Sequence, residues 1–237
     1  MKIIAVIPAR YAATRFPGKL MEMLGNKSII RHVYDNTVST GLFNDVFVVT
    51  DSEVIYREIS SNSGKVIMSK REHDSGSDRI AEAVAGMDVD VIVNVQGDEP
   101  FIKREPLEKL VRLFEDPGVD VASLMRAISG EEAADPNNVK VVTDKAGYAL
   151  YFSRSIIPFP RDEQAAGKYY LHIGVYAYKK KALIGFTQWP QSILEKTEKL
   201  EQLRYLENGI RIKMAETDYL NIAIDTPGDL QKAKGYL

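Results

Sequence analysis

The chain has 237 residues, no cysteine, and 31 basic against 33 acidic side chains, which gives a formal charge of −2. This near balance excludes a global basic field for nucleic acid, and the lack of cysteine excludes disulfides, thiolate metal sites and cysteine nucleophiles. The longest apolar run is far shorter than the roughly 20 residues that cross a membrane, and no secretory signal pattern precedes it. We therefore expect a cytoplasmic protein with neither membrane nor nucleic-acid partners.

Short β-branched runs alternate with helical patterns in the first part of the chain. The predicted elements are strand 3–7, helix 28–40 with Ser28 as its cap, strand 45–50, helix 52–61, strand 65–68, helix 77–84 and strand 89–95. We expect Pro8 to end the first strand. The alternation indicates βαβ units, so we predict an α/β fold with a mostly parallel sheet.

The pattern changes after about residue 118. The segments 139–143 and 148–152 flank a turn and predict a hairpin, and 172–178 predicts a further strand. A short strand at 222–224 is expected to lead into a helix capped by Thr226. We predict one domain over 1–237, with 1–117 as the nucleotide-binding half and 118–237 as the half that binds the second substrate and a second copy of the chain.

The loop after the first strand carries three cations, Arg10, Arg15 and Lys19, among small residues. It follows the carboxyl end of a strand, where open α/β sheets bind their ligands, and this predicts a cradle for a polyphosphate. The loop does not match a Walker A motif, because Leu20 follows Lys19. The alternative is a solvated basic loop.

Two carboxylates are expected at the same edge of the sheet. Asp98 follows the central strand after a turn at Gly97, and Asp225 lies at the corner between the last strand and the last helix. Such a pair can hold Mg²⁺ against phosphate oxygens, because this hard cation takes few protein carboxylates. The alternative for Asp98 is an ordinary Gly-Asp turn, and Asp229 is interpreted as a capping group.

The segment 73–79 precedes a helical pattern. Its backbone amides, its serine hydroxyls and Arg79 therefore predict a contact with an anion or a base edge at a helix N-terminus. The alternative is a Ser-Gly turn in which Ser77 caps the helix.

Two further pairs are candidates for a sugar pocket. His172 and Tyr176 lie four residues apart on a predicted strand and hence on one face. Glu201 and Gln202 are expected to open a helix, with Glu201 opposite its leucine stripe. The alternatives are a packed histidine and a solvated helix face.

Together these segments resemble, over nearly the whole chain, the CMP-Kdo synthetases, which are 3-deoxy-manno-octulosonate (Kdo) cytidylyltransferases. The resemblance is carried by the ordered segments Ile7–Lys19, Ser75–Arg79, Val93–Pro100, Asn138–Val142, Tyr148–Arg154, His172–Tyr178, Leu200–Leu206 and Asp225–Leu230. It implies a Rossmann-like, three-layer nucleotidyltransferase fold with a mostly parallel mixed sheet. It also implies a homodimer that makes CMP-Kdo and pyrophosphate from CTP and Kdo for lipopolysaccharide biosynthesis, with Mg²⁺ as the cofactor.

The resemblance assigns roles to the matching positions. The catalytic set is Lys19, Arg10, Asp98 and Asp225, of which Asp98 and Asp225 bind Mg²⁺. The nucleotide-binding set is Ala9, Arg10, Ala12, Lys19, Ser75, Gly76, Arg79 and Gln96. The sugar-binding set is Gln96, His172, Tyr176, Glu201, Gln202 and Arg154, and Arg15 is a secondary candidate.

Two alternatives to this function stay open. One is a related nucleotidyltransferase for another acidic sugar, such as amino-Kdo or a sialic acid, which would have the same fold and metal. The other is a non-catalytic nucleotide-binding regulator, which would lack metal or sugar residues, whereas Asp98, Asp225, Gln96 and His172 are all present.

Overall fold

The computed structural model of the chain describes residues 1–12, 16–73, 75–162, 167–220 and 222–237. The strands are β1 Ile3–Ala9, β2 Met23–Leu24, β3 Lys27–Ser28, β4 Asp45–Thr50, β5 Val66–Met68, β6 Val91–Asn94, β7 Val121–Ile128, β8 Lys140–Thr143, β9 Ala149–Ser153, β10 Tyr169–Lys179 and β11 Ile212–Glu216. The helices are α1 Ile29–Ser39, α2 Glu53–Ser60, α3 Gly76–Val84, α4 Arg104–Arg112, α5 Gly130–Ala134, α6 Lys180–Gln188, α7 Ile193–Glu198, α8 Leu203–Glu207 and α9 Pro227–Ala233. Within the described ranges, no helix is long and apolar enough to span a bilayer.

The described residues form two compact units, Met1–Leu107 with Leu220–Leu237, and Glu108–Tyr219. The main sheet of the first unit is parallel, with β1 between β4 and β6, and β5 beside β4. Ile4, Val6 and Ile7 of β1 are almost fully buried, as expected for a strand covered on both faces. The carboxyl ends of these strands meet at one edge, which places the loops after β1, β4, β5 and β6 together.

The prediction that Pro8 ends the first strand is wrong. β1 continues to Ala9, and Pro8 keeps its register opposite Val49 of β4. The carbonyl of Val6 accepts a hydrogen bond from the amide of Val95, so the backbone polar groups of Val6 face β6. Because these groups alternate in direction along a strand, the backbone nitrogen of Pro8 faces the same side. Since β6 ends at Asn94, the missing N–H of Pro8 faces a position where no ladder bond is needed.

Three helices of the first unit, α1, α2 and α3, begin at serine caps. Ser28 caps α1 and Ser52 caps α2, which confirms both predicted helices. α3 begins at Gly76 and is capped by Ser75, so the alternative in which Ser77 is the cap is wrong. Ser75 has an extended backbone, and its hydroxyl accepts a hydrogen bond from the amide of Asp78.

The predicted strand at 222–224 is also wrong. In the described part of this segment, residues 222–225 have no strand pairing, although Ile224 is fully buried. A backbone bond from the Ile224 amide to the Asp98 carbonyl, at 3.0 Å, holds the segment instead. The helix that follows, α9, has the predicted Thr226 cap, and Asp229 completes a capping box with it.

The second unit contains a mixed sheet. β7 lies between β11, which is parallel to it, and β10, which is antiparallel. β8 and β9 form the predicted antiparallel hairpin, and β8 also pairs with β10. α8 begins at Leu203, so Glu201 and Gln202 precede this helix rather than open it.

This architecture confirms the predicted α/β fold class with parallel pairing at its core. The prediction of one domain over 1–237, with halves at 1–117 and 118–237, stays a prediction. In the structure, the C-terminal segment Leu220–Leu237 belongs to the same compact unit as the N-terminal strands.

Candidate active site

A lysine and two carboxylates meet at the carboxyl edge of the parallel sheet in the first unit. The Lys19 Nζ lies 2.6 Å from Asp98 Oδ2 and 2.8 Å from Asp225 Oδ1. The side chain of Lys19 is only 13% exposed, whereas those of Asp98 and Asp225 are 25% and 38% exposed. The ammonium group therefore bridges the two predicted metal ligands in a partly enclosed place.

Two glycines determine where these groups lie. Gly18 has a positive φ of 70° and donates its amide to the carbonyl of Tyr11, which turns the chain into the short 3₁₀ helix that begins at Lys19. Gly97 passes so close to β1 that an added Cβ would lie 3.0 Å from the Pro8 carbonyl oxygen. The sharp turn predicted before Asp98 thus depends on the absence of a side chain at this position.

The third member of the cluster is fixed from the C-terminal segment. The amides of Asp225 and Thr226 both donate to Asp229 Oδ2, at 3.2 and 2.9 Å. The capping box of α9 therefore holds the backbone of Asp225, while the adjacent Ile224 is bound to the carbonyl of Asp98. This confirms the interpretation of Asp229 as a capping group.

The electrostatics of the cluster favour the charged form of the lysine. Burial lowers the pKa of Lys19, but the Coulomb attraction of Asp98 and hydrogen bonds to both carboxylates outweigh it and raise the pKa above 10.5. One positive charge thus lies between two carboxylates.

This cluster is chemically suited to a divalent cation. Carboxylate oxygens are the ligands that Mg²⁺ prefers, and two of them already share one cationic group here. Among the residues that the structure describes, no group of three or more acidic, histidine or cysteine side chains is arranged as a metal site. The remaining ligands of a cation at this place would come from phosphate oxygens and water.

The loops beside this cluster carry the other nucleotide-binding candidates. Ser75 donates its hydroxyl to Asp78 Oδ2 at 2.7 Å and caps α3. Gly76 packs against β1, because an added Cβ would lie 3.3 Å from Pro8 Cγ. Arg79 is buried and donates to Asp51 Oδ2 at 2.5 Å and to Ser69 Oγ at 2.9 Å.

The first loop and the end of β6 complete the predicted nucleotide set. Ala9 is buried at the end of β1, and Arg10 and Ala12 are exposed just after it. Gln96 is half-buried, and its carbonyl accepts the amide of Glu99. Arg15 lies outside the described residues.

In the second unit, the predicted sugar-binding residues surround a pair of rings on β10. The ring centroids of His172 and Tyr176 are 5.3 Å apart, even though the register of β10 shifts between them. The His172 Nε2 lies 3.0 Å from the Ser123 hydroxyl, and Phe152 makes an edge contact with the imidazole. The two rings therefore lie side by side, while their role in binding a sugar stays a prediction.

Burial controls the protonation of this pair. It lowers the pKa of His172 from 6.5 to about 3, so the imidazole is neutral at physiological pH. Burial also raises the pKa of Tyr176 well above 10, with further contributions from Tyr178 and from the negative charge of Glu201. Glu201 is thus near enough to Tyr176 to influence its ionisation.

The last two candidates of this unit differ in their surroundings. Gln202 is buried beside α8, and within the described residues its side-chain nitrogen has no hydrogen-bond partner. Arg154 is held by the backbone, since its Nε donates to the Glu198 carbonyl at 2.8 Å and its Nη1 to the Pro136 carbonyl at 3.2 Å. The guanidinium of Arg154 therefore already has protein partners.

Comparison with known proteins identifies the family. A family model described as Cytidylyltransferase matches residues 4–212. The 3-deoxy-manno-octulosonate cytidylyltransferase of Flavobacterium johnsoniae is 60% identical over 241 residues, which cover 100% of this chain and 99% of that protein. The chain belongs to the 3-deoxy-manno-octulosonate cytidylyltransferase family. A protein of the same name from Bacteroides thetaiotaomicron is 46% identical over 248 residues, covering 100% of this chain and 98% of the other.

Solved structures agree with this assignment. The chain is similar to a CMP:2-keto-3-deoxy-manno-octonic acid synthetase in complex with CTP, with a TM-score of 0.96, 40% identity, and coverage of 100% and 98% of the two chains. A 4-diphosphocytidyl-2C-methyl-D-erythritol synthase from Anaerococcus prevotii is 14% identical with a TM-score of 0.66, over 99% of this chain and 98% of that one. The latter likeness shows the fold alone. The predicted family resemblance is confirmed.

Sequence reasoning missed several residues that support the candidate sites of this cytidylyltransferase. Asp51 pairs with Arg79 and directly follows the carboxyl end of β4, so the edge rule that indicated Asp98 would also have indicated it. Ser123 contacts His172 from the neighbouring strand β7, and no signal in the sequence predicts that register. The roles of the individual site residues stay predictions.

Proposed function

We propose that this protein transfers the cytidylyl group of CTP to Kdo, forming CMP-Kdo and releasing pyrophosphate. The observation that supports this most directly is the meeting of Lys19, Asp98 and Asp225 at the ligand-binding edge of a parallel sheet. It occurs in a chain that belongs to the Kdo cytidylyltransferase family. In this proposal the product serves lipopolysaccharide biosynthesis.

The reaction is an in-line displacement at the α-phosphorus of CTP. The anomeric C2 hydroxyl oxygen of Kdo forms the new O–P bond while the bond to the bridging oxygen of the leaving pyrophosphate breaks, and the hydroxyl proton passes to solvent. Negative charge on the transferred and leaving oxygens must be stabilised. Lys19 and Arg10, on the loop that follows β1, would supply fixed positive charge there.

The nucleotide would be held by groups of the first unit. The N-terminus of α3, with Ser75 and Gly76, offers backbone amides to an anion or a base edge. Arg79 is fixed in place by Asp51, and the backbone at Ala9 and Ala12 lies beside the same sheet edge, with Gln96 at the end of β6. Positioning and charge compensation thus account for most of the expected catalysis.

Asp98 and Asp225 would hold Mg²⁺. When bound, this cation polarises phosphate oxygens and offsets their growing charge. The fit rests on the donor set, since two carboxylate oxygens already lie within 2.8 Å of one cationic group.

The acidic sugar would be bound by residues of the second unit. Tyr176, Gln202 and Glu201 offer a hydroxyl, an amide and a carboxylate, and Arg154 is the candidate for the sugar carboxylate. His172 has a pKa of about 3, so it is a weak base and carries no charge at neutral pH. We therefore assign it to orienting the sugar and not to proton abstraction.

The homodimer stays a prediction from the resemblance, and the cytoplasmic location stays a prediction from the cysteine-free composition and the sequence pattern. A gel-filtration measurement with light scattering tests the first.

The experiment that tests the function is pyrophosphate release with purified protein. It should be followed for a panel of nucleoside triphosphates against Kdo, amino-Kdo and a sialic acid, with and without Mg²⁺. Turnover that requires CTP, Kdo and Mg²⁺ together supports the proposal. Turnover with another pair only would assign a related nucleotidyltransferase, and binding of CTP without turnover of any sugar would assign the regulator.

A further inference from the structure

Lys19 occupies the position that a shared cation would take between Asp98 and Asp225. Its Nζ contacts one oxygen of each carboxylate, at 2.6 and 2.8 Å, and these two carboxylates are the proposed ligands of the metal. An ammonium group and a divalent cation cannot both lie at this point, because like charges at such a distance repel. The two cations therefore compete for the same ligands.

The burial of Lys19 sets it apart from other lysines that pair with aspartate on this unit. Lys27 pairs with Asp35 and is 44% exposed, and Lys65 pairs with Asp45 and is 57% exposed. At 13% exposure, a displaced Lys19 ammonium would not simply move into bulk water. It needs another anion in its reach to replace the carboxylates it gives up.

The bound triphosphate is the natural replacement. Two carboxylates and one ammonium carry a net charge of −1, and exchange of the ammonium for a divalent cation brings them to neutrality. The Lys19 ammonium then pairs with phosphate oxygens, and other phosphate oxygens complete the coordination of the cation. Gly18 and the 3₁₀ turn fix the backbone at Lys19, while its four-carbon side chain can turn between the two sets of anions.

We propose that Lys19 acts as a place-holder that keeps free divalent metal off Asp98 and Asp225 until the triphosphate binds. The metal enters with the triphosphate because the triphosphate offers Lys19 a new partner. This inference rests on the proposed function, in which Asp98 and Asp225 bind the metal. By linkage, CTP and the cation each strengthen the binding of the other.

The test measures Mn²⁺ binding to the protein without nucleotide, by the loss of the free-ion signal in electron paramagnetic resonance. We expect wild-type protein to bind Mn²⁺ weakly and Lys19→Met to bind it roughly tenfold more tightly, a change typical of coupled sites. The matched control is Lys27→Met, which removes an exposed lysine–aspartate pair and should leave the Mn²⁺ affinity unchanged. Equal affinities of wild type and Lys19→Met would overturn the inference.

A second readout and a pair of double variants complete the design. Removal of Lys19 leaves the carboxylates uncompensated, so Mn²⁺ should raise the melting temperature of Lys19→Met and of Lys19→Gln more than that of wild type. The gain in affinity should disappear in Lys19→Met combined with Asp98→Asn or Asp225→Asn. If the gain persists in both double variants, the metal binds elsewhere, and the proposed metal site fails together with the inference. If pyrophosphate release proceeds as proposed but Lys19→Met gains nothing, only the inference fails.

Discussion

The backbone amide of Ile224 donates a hydrogen bond to the carbonyl oxygen of Asp98 at 3.0 Å. This bond joins the C-terminal segment to the loop after β6, and it places the carboxylate of the next residue, Asp225, within reach of the ammonium that also contacts Asp98. The two candidate metal ligands thus meet although they lie on remote parts of the sequence. Among the described residues, the cluster of Lys19, Asp98 and Asp225 contains no third carboxylate that could replace either one, so we expect each to be essential for activity.

The first prediction concerns these carboxylates. Asp98→Asn and Asp225→Asn should each lower kcat for CMP-Kdo formation by roughly 100-fold or more, because each removes a charged ligand of the cation while keeping the shape of the side chain. Circular dichroism should show an intact fold. Asp45→Asn is the control, since Asp45 pairs with Lys65 at the opposite, amino end of β4. A near-normal rate in either site variant would mean that the metal binds elsewhere.

The sequence predicts the edge of the sheet at which chemistry occurs but not the bonds that complete it. Alternating apolar runs place Asp98 and Lys19 at the carboxyl ends of parallel strands, and this depends only on local patterns. The position of Asp225 depends on a long-range backbone bond at Ile224 as well as on the capping box of α9, so the predicted strand at 222–224 was wrong while the meeting of the carboxylates was right. Ile224 is fully buried without being part of a strand, and Ile222 and Ala223 beside it are only half-buried.

Features that depend on how two strands pair are likewise not predicted by the sequence. Pro8 is read from the sequence as a strand breaker, because the sequence does not show that β6 ends before the missing N–H would be needed. The contact between His172 and Ser123 depends on the register of β10 against β7, which shifts along the strand. Register and strand length are tertiary properties, and local propensity does not specify them.

The second prediction concerns the glycine that precedes Asp98. Gly97→Ala would place a Cβ 3.0 Å from the Pro8 carbonyl oxygen and 3.5 Å from the tips of Ile30 and Leu20, and the backbone oxygen cannot yield as a flexible side chain could. We expect a loss of about 1–3 kcal/mol in the free energy of unfolding and a lower kcat, because the turn that carries Asp98 must shift.

Gly86→Ala is the matched control for this substitution. An added Cβ at Gly86 meets nothing within 4 Å, so stability should be unchanged or should rise by up to about 1 kcal/mol. Urea unfolding and steady-state kinetics of the two variants check the expectation. Equal behaviour of the two alanine variants would contradict the close approach of Gly97 to β1.

The third prediction concerns a buried ion pair in the second unit. Arg204 donates two hydrogen bonds to Glu195, at 2.5 and 2.7 Å, and both residues are about 5% exposed or less. Glu195→Gln removes the charge that compensates the guanidinium, and we expect a loss of about 3–5 kcal/mol in the free energy of unfolding. The double variant Glu195→Met with Arg204→Leu should lose less, because it buries no unpaired charge.

The single tryptophan of the chain makes this measurement specific for the second unit. The Trp189 carbonyl lies 3.4 Å from Arg204 Nη1, so tryptophan fluorescence during urea unfolding reports on the surroundings of the pair. The control is Arg112→Gln, which breaks the exposed pair with Glu108 in the same unit and should change stability by no more than about 1 kcal/mol. A Glu195→Gln variant as stable as this control would show that the buried pair contributes little.

The last prediction concerns the pH dependence that His172 introduces. Its pKa is about 3 in the folded chain, against about 6.5 when unfolded, so below pH 6.5 the unfolded state binds a proton that the folded state does not. Stability is therefore fully present above pH 6.5 and falls as the pH is lowered toward 3, with a slope of at most about 1.4 kcal/mol per pH unit. Carboxylates also titrate in the acidic part of this range, so the test compares wild type with His172→Gln, which cannot titrate. Between pH 7 and pH 5, wild type should lose up to about 2 kcal/mol relative to the variant, as followed by Trp189 fluorescence in urea. A stability difference that is the same at both pH values would mean that the imidazole takes up a proton without leaving its contacts to Ser123 and Phe152, and that burial does not keep it neutral.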